Sequence, residues 1–109
     1  YASAGAGATH ALDVDLPDDC AALVECEVSA CEDGGGADRG VWRVRARVSR
    51  TGGAAGVVSD LDATYTSTPD VSWAATIVAS ASGFALEVDD GGSAIRWALH
   101  VHYTVADPS

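Results

Sequence analysis

The sequence predicts an all-β fold, an antiparallel β-sandwich or jelly-roll-like domain of about seven strands. Apolar and polar residues alternate with period 2 over segment after segment, and clusters of Gly, Pro and Asp separate these segments at roughly 8–12-residue spacing. The many alanines sit in alternating patterns and not at the i, i+3, i+4 spacing of an amphipathic helix.

Residues 1–9 (YASAGAGAT) have no apolar period and read as a flexible arm or linker. A single domain is expected over 10–106, with 107–109 fraying at the end. The first strand runs from His10 to Leu16, with Leu12, Val14 and Leu16 inward, and stops at Pro17-Asp18-Asp19. In 21–29, Ala22, Val24, Cys26 and Val28 face one way. Residues 31–40 form a loop by composition. The clearest strand is 41–50, with Trp42, Val44, Ala46 and Val48 inward and Arg43, Arg45 and Arg47 outward. Residues 57–67 fit less well: Val58 competes with Leu61 and Tyr65 for the inner face unless a bulge intervenes. After a turn at Thr68-Pro69-Asp70, Val71, Trp73, Ala75 and Ile77 share a face, followed by Phe84, Leu86 and Val88. Asp89-Asp90-Gly91-Gly92 makes a tight hairpin connection. The last strand, 94–105, carries Ile95, Trp97, Leu99, Val101, Tyr103 and Val105 on its inner side. The predicted core is Trp42, Val44, Trp73, Ile77, Leu86, Val88, Ile95, Trp97, Leu99 and Val101. It is thin, because Ala supplies 21 of the apolar residues.

Sixteen acids against six bases give a formal charge of −10, with no Lys, Asn, Gln or Met. Such a chain repels phosphate backbones, which excludes nucleic acid as a partner. No stretch approaches the ~20 apolar residues of a membrane span, so no membrane partner is expected. A chain that starts at Tyr1 is read as processed or as part of a longer one.

The charges are sorted along the chain. Residues 1–38 hold nine acids and no Lys or Arg, 39–50 hold five Arg and no acid, and 51–109 hold seven acids and one Arg. If 21–29 and 41–50 pair through the intervening loop, Glu27 lies across from Arg43 and Glu25 across from Arg45. Each such pair contributes roughly 0.2–1 kcal/mol. The alternative use of the Arg row is an anion surface.

Three cysteines are an odd number: Cys20 precedes, Cys26 lies inside and Cys31 follows the 21–29 strand. At ~3.3 Å per residue the nearest two lie beyond disulfide reach, so no disulfide within the chain is expected; Cys26 is a core residue, and the other two are free or pair with a neighbouring chain. His100 and His102 project from the same side of the last strand, and His10 joins them if the first strand lies beside it. These three are the candidate metal ligands, but no further ligand is set by spacing, so no metal and no cofactor is assigned. The paired acids match no EF-hand loop, and there is no P-loop, G-x-S-x-G or H-E-x-x-H. No catalytic residue is assigned, and an enzyme is not expected.

Ser72-Trp73-Ala74-Ala75-Thr76-Ile77, Gly83-Phe84-Ala85-Leu86-Glu87-Val88 and Asp90-Gly91-Gly92-Ser93-Ala94-Ile95-Arg96-Trp97-Ala98-Leu99, after the early strand Leu23-Val24-Glu25-Cys26-Glu27-Val28, together resemble a β-sandwich module recurrent in virion proteins of tailed phages and related viruses. The resemblance covers roughly residues 10–105. Asp89-Asp90-Gly91-Gly92 is more acidic than the family's loop, and Cys31 lies outside its pattern. The resemblance implies a non-enzymatic virion structural protein, of the head-decoration, head-fibre or tail-fibre type. Such a protein works as a homo-oligomer, a trimer, docked on other virion proteins. The alternative expectation is an extracellular carbohydrate-binding or pilin-like adhesion module with a glycan partner, its tryptophans serving as a stacking platform.

Overall fold

The computed structural model describes residues 1–5, 7–32, 34, 38–68 and 73–106, with 65–68 described by backbone alone. Among them are eight strands and no helix: β1 (Ala2–Ala4), β2 (Ala8–Asp15), β3 (Cys20–Glu32), β4 (Arg39–Arg50), β5 (Val57–Thr68), β6 (Ala74–Ser80), β7 (Gly83–Asp89) and β8 (Ala94–Ala106). They form two antiparallel sheets, one ordered β1-β8-β3-β4-β5 and the other β2-β7-β6. The long strands of the larger sheet draw the molecule out to 48 × 22 × 17 Å. The fold is the all-β sandwich that the alternation predicts.

Alternation in β3 and β4 is strict, and it is realised residue by residue: Ala22, Val24, Cys26, Val28 and Ala30 are buried, as are Trp42, Val44, Ala46 and Val48. The smaller sheet closes over them with Trp73, Ala75, Ile77, Phe84, Leu86 and Val88. Each large side chain removed from water in this way stabilises the fold by about 1.5–3 kcal/mol. Three indoles fill one end of the sandwich. Trp42 lies 5.5 Å from Trp97 between ring centroids, and Trp73 meets Trp97 edge-on at 6.4 Å.

Several expectations need correction. Residues 1–9 are not a free arm: β1 pairs with the start of β8, Ser3 opposite Ile95, and β2 already begins at Ala8. The strands on either side of the 31–40 loop extend inward to Glu32 and Arg39, which shortens it. In β2 a bulge falls between His10 and Leu12, and Ala11 packs against the core; Val14 and Leu16 point inward as expected, while Leu12, paired with Leu86 on this outer strand, is exposed. A bulge changes side-chain direction because it inserts one residue into a period of two. The same device resolves β5, where the register jumps between Arg45 and Arg47, Val58 packs inward and Leu61 is exposed. Leu99 and Val101 are half-buried rather than core, because β8 runs near the sheet's margin where the smaller sheet gives incomplete cover. Val71, the Tyr65 side chain, Pro69-Asp70 of the expected turn and the expected fraying of 107–109 lie outside the described residues or side chains.

At the end of the molecule opposite the indoles, three segments converge without room for side chains. A Cβ on Gly83 would lie 2.1 Å from the Val14 carbonyl oxygen, and one on Gly56 would lie 1.9 Å from the Gly83 carbonyl oxygen. Close approach lets Leu16 donate to the Ser82 carbonyl at 2.8 Å and Gly56 to that of Ser80 at 3.1 Å. Arg50 ties the same end together, donating to the carbonyls of Leu16 (2.7 Å), Ala54 (2.8 Å) and Gly53 (3.2 Å). Gly83→Ala is expected to destabilise the fold by about 3 kcal/mol, since backbone cannot rotate away as a side chain can; urea unfolding with unchanged m-value is the measurement.

Candidate interaction surface

The outward face of the larger sheet gathers most of the charge that the sequence sorts along the chain. Register across three pairings builds rows of side chains: His102, Glu25, Arg45 and Asp62 in one, His100, Glu27, Arg43 and Thr64 in the next. Glu25 opposite Arg45 and Glu27 opposite Arg43 is the register that the alternation predicts. These pairs face one another across the strands without closing to a direct ion pair. The direct contact of the Arg row is Arg47 to Asp60, at 2.7 Å. Asp60 reaches it because the β5 bulge holds that residue at φ 52°, in the left-handed region. Apart from half-buried Glu25 these groups are exposed, so water and salt screen them and each pair adds little to stability. The face also presents Leu23, Val41 and Val57, each at least half exposed. One shallow depression on it is lined by Glu27, Ser29, Val41, Arg43 and Thr64.

The candidate metal ligands do not converge. β2 belongs to the smaller sheet and β8 to the larger, so His10 is separated from the other two histidines. It hydrogen-bonds Asp13 at 3.2 Å and lies 3.7 Å from Glu87 instead. His100 and His102 are exposed, opposite Glu27 and Glu25. Among the described residues no three His, Cys, Asp or Glu side chains are grouped to hold a metal ion. All three cysteines are free thiols. Burial pushes the Cys26 thiol up to about 11, which keeps it protonated and unreactive at neutral pH. Trp42, Trp73 and Trp97 are buried, so none forms an exposed sugar-stacking platform. Near the far end of β3 a side-chain hydrogen bond with Asp38 raises the pKa of Glu32, with burial and the Asp38 charge adding to it and Arg39 opposing.

The carboxylate that organises this end of the molecule is one that sequence reasoning placed only in a turn. Asp90 is fully buried. It accepts hydrogen bonds from the backbone N–H groups of Gly5 (2.9 Å), Gly7 (3.0 Å) and Gly92 (2.9 Å). Gly5 and Gly7 sit at φ 85° and 81°, a conformation that turns their amides onto the carboxylate and that residues with a Cβ resist. Burial alone would push the Asp90 carboxyl up, but the hydrogen bonds from Gly92, Gly7, Ser3 and Gly5 outweigh it and hold it below the usual carboxylate range. This anchor lays β1 along β8. Ser3 then accepts a hydrogen bond from the Trp97 indole at 3.1 Å, and Tyr1 exchanges a pair of backbone hydrogen bonds with Trp97. The signal in the sequence is the Gly5-x-Gly7 spacing, which composition alone renders as linker.

Fold and surface together define a class, an antiparallel two-sheet sandwich with a broad, mixed-charge outward face. In comparisons with known protein families, curated proteins and solved structures, nothing matches this chain.

Asp90→Asn keeps the shape but turns a donor toward the converging N–H groups, and is expected to cost about 2–3 kcal/mol. The folded carboxyl titrates below the unfolded one, whose pKa is ~3.9. Its stabilisation is therefore complete above that value and is lost as pH falls through the folded pKa. The gap between the native chain and Asp90→Asn in urea unfolding should accordingly narrow below about pH 4. For the outward rows, a double-mutant cycle on Glu27→Gln and Arg43→Gln should give a coupling of about 0.2–1 kcal/mol that shrinks in high salt.

Proposed function

We propose that this chain is a non-enzymatic structural module of a virion, of the head-decoration or fibre type, that works by assembling through its surfaces. The observation that carries the reading is the outward face of the larger sheet. It is extended, charged in both signs, and interspersed with exposed Leu23, Val41 and Val57, as suits docking against another protein surface. The module resemblance in 72–99 supports the virion setting. Strands of 12 and 13 residues make a stiff, elongated unit of the kind a fibre or a shell decoration uses. The extracellular adhesion reading draws on the same face, but the tryptophans that were to serve it as a stacking platform are buried.

An antibody raised against the chain and applied to particles released from its source separates the two settings. Regularly spaced labelling of heads or fibres in electron micrographs is the expected result. Labelling confined to the cell surface or to non-particulate material would overturn the virion reading.

A further inference from the structure

The sheet edges of this molecule are not protected alike. An unpaired strand offers free N–H and C=O groups to any other strand, and folded proteins block such edges with bulges, charges or short length. The β5 edge carries its bulge with Asp60 and Asp62, and the β2 edge carries a bulge with Asp13 and Asp15. β1 is 3 residues long and β6 is 7.

β8 has none of these defences over most of its length. It is 13 residues long, β1 covers only Ala94 to Arg96, and Tyr1 closes that pairing at Trp97. Among the described residues no strand pairs with 98–106 on that side. The Trp97 N–H and C=O both face Tyr1, so strand alternation aims those of Leu99, Val101, Tyr103 and Val105 toward the same open edge. Residues 98–106 contain no Asp, Glu, Lys, Arg, Pro or Gly. The side chains on the inner face are left partly uncovered as well: Leu99, Val101 and Val105 are half-buried, and Tyr103, set edge-on to Phe84, is 41% exposed.

We infer that β8 pairs antiparallel with the β8 of a second copy of this chain, through residues 98–106. A second copy fits for two reasons. With a net charge of −10, two copies repel over most of their surfaces, and an uncharged strand is where they can approach. A basic partner, by contrast, would be drawn to the acidic surfaces and not to this neutral strip. The free stretch is also its own complement. Tyr1 blocks one end of it, which centres a two-fold pairing on His102 and engages every free N–H and C=O of the four edge residues. Leu99 then lies opposite Val105, and Val101 opposite Tyr103, covering the half-buried apolar row from both sides. On the outward face His102 meets its own counterpart, His100 meets Thr104 and Ala98 meets Ala106. The two larger sheets become one continuous sheet, and the closed two-fold leaves no free length of β8 to recruit further copies. This deepens the assembly reading by naming a partner, and it rests on that reading only for its purpose.

Sedimentation velocity from the micromolar to the submillimolar range, with amide hydrogen exchange on the same samples, tests the pairing. The native chain should dimerise, and the amides of Leu99, Val101, Tyr103 and Val105 should exchange slowly where dimer dominates and rapidly on dilution. His102→Lys sets two ammonium groups across the axis on backbones ~4.5 Å apart and should weaken association by more than about tenfold. Val101→Pro deletes an N–H that faces the open edge and none that faces β3, and should do the same. Ala74→Lys, exposed on β6 of the smaller sheet, should leave association unchanged, and circular dichroism checks that each variant is folded. A dimer that survives both β8 variants, or β8 amides that stay labile in the dimer, would overturn the inference. A trimer or larger assembly with labile β8 amides overturns it too, but leaves the assembly reading standing. A monomer across the whole range removes both.

Discussion

Trp97 is the point on which this sandwich depends. A core drawn from so much Ala and Val has little bulk to fill the space between two sheets, and at one end three indoles supply it, with Trp97 touching both of the others. Its indole N–H is a polar group taken out of water, and such a group costs free energy unless it finds an acceptor. Ser3 provides that acceptor. The requirement reaches back along the chain: Ser3 is in place because β1 lies on β8, and β1 lies there because Asp90 gathers the amides of Gly5 and Gly7. A packing need in the core is thus met by a buried carboxylate in a turn and a short strand at the other end of the sequence.

The opposite end is held by different means. There the backbone itself makes the contacts, with Gly56 and Gly83 stacked too closely for any Cβ and Arg50 donating to three carbonyls from neighbouring loops. Between these two ends the strands are long and their register continuous, so the outward face of the larger sheet keeps its rows of opposite charge over most of its length. The acidity of the chain is therefore unevenly spread, with Arg concentrated on β4 and almost absent elsewhere. That arrangement suits a surface that meets other proteins, and it leaves β8 as the neutral margin of an otherwise charged molecule.

Edge treatment and charge distribution point the same way. Both bulges fall on outer strands, at Ala11 in β2 and at Asp60 in β5. They disrupt the two edges that would otherwise be long and regular. β8 keeps its regular ladder with β3 to the end, which is what a strand needs if it is to pair on both sides.

Sequence alone determined the fold class, the inward residues of β3, β4, β6 and β7 and the register of Glu25 and Glu27 with Arg45 and Arg43. All of these follow from a period of two, which is local and readable. It was also enough to place Cys26 and the three tryptophans in the core. It misread Leu12, which shares its register face with inward Val14 but lies on the outer strand of the smaller sheet, where cover depends on how the two sheets stack. It misread residues 1–9 as a free arm, because the N–H groups of Gly5 and Gly7 have value only once Asp90, some 85 residues away, is folded against them. The separation of His10 from His100 and His102 was likewise decided by which sheet each strand joins. Pairing between distant strands is a property of the whole packed core, and only the tertiary structure could settle which strand would be left with an open side.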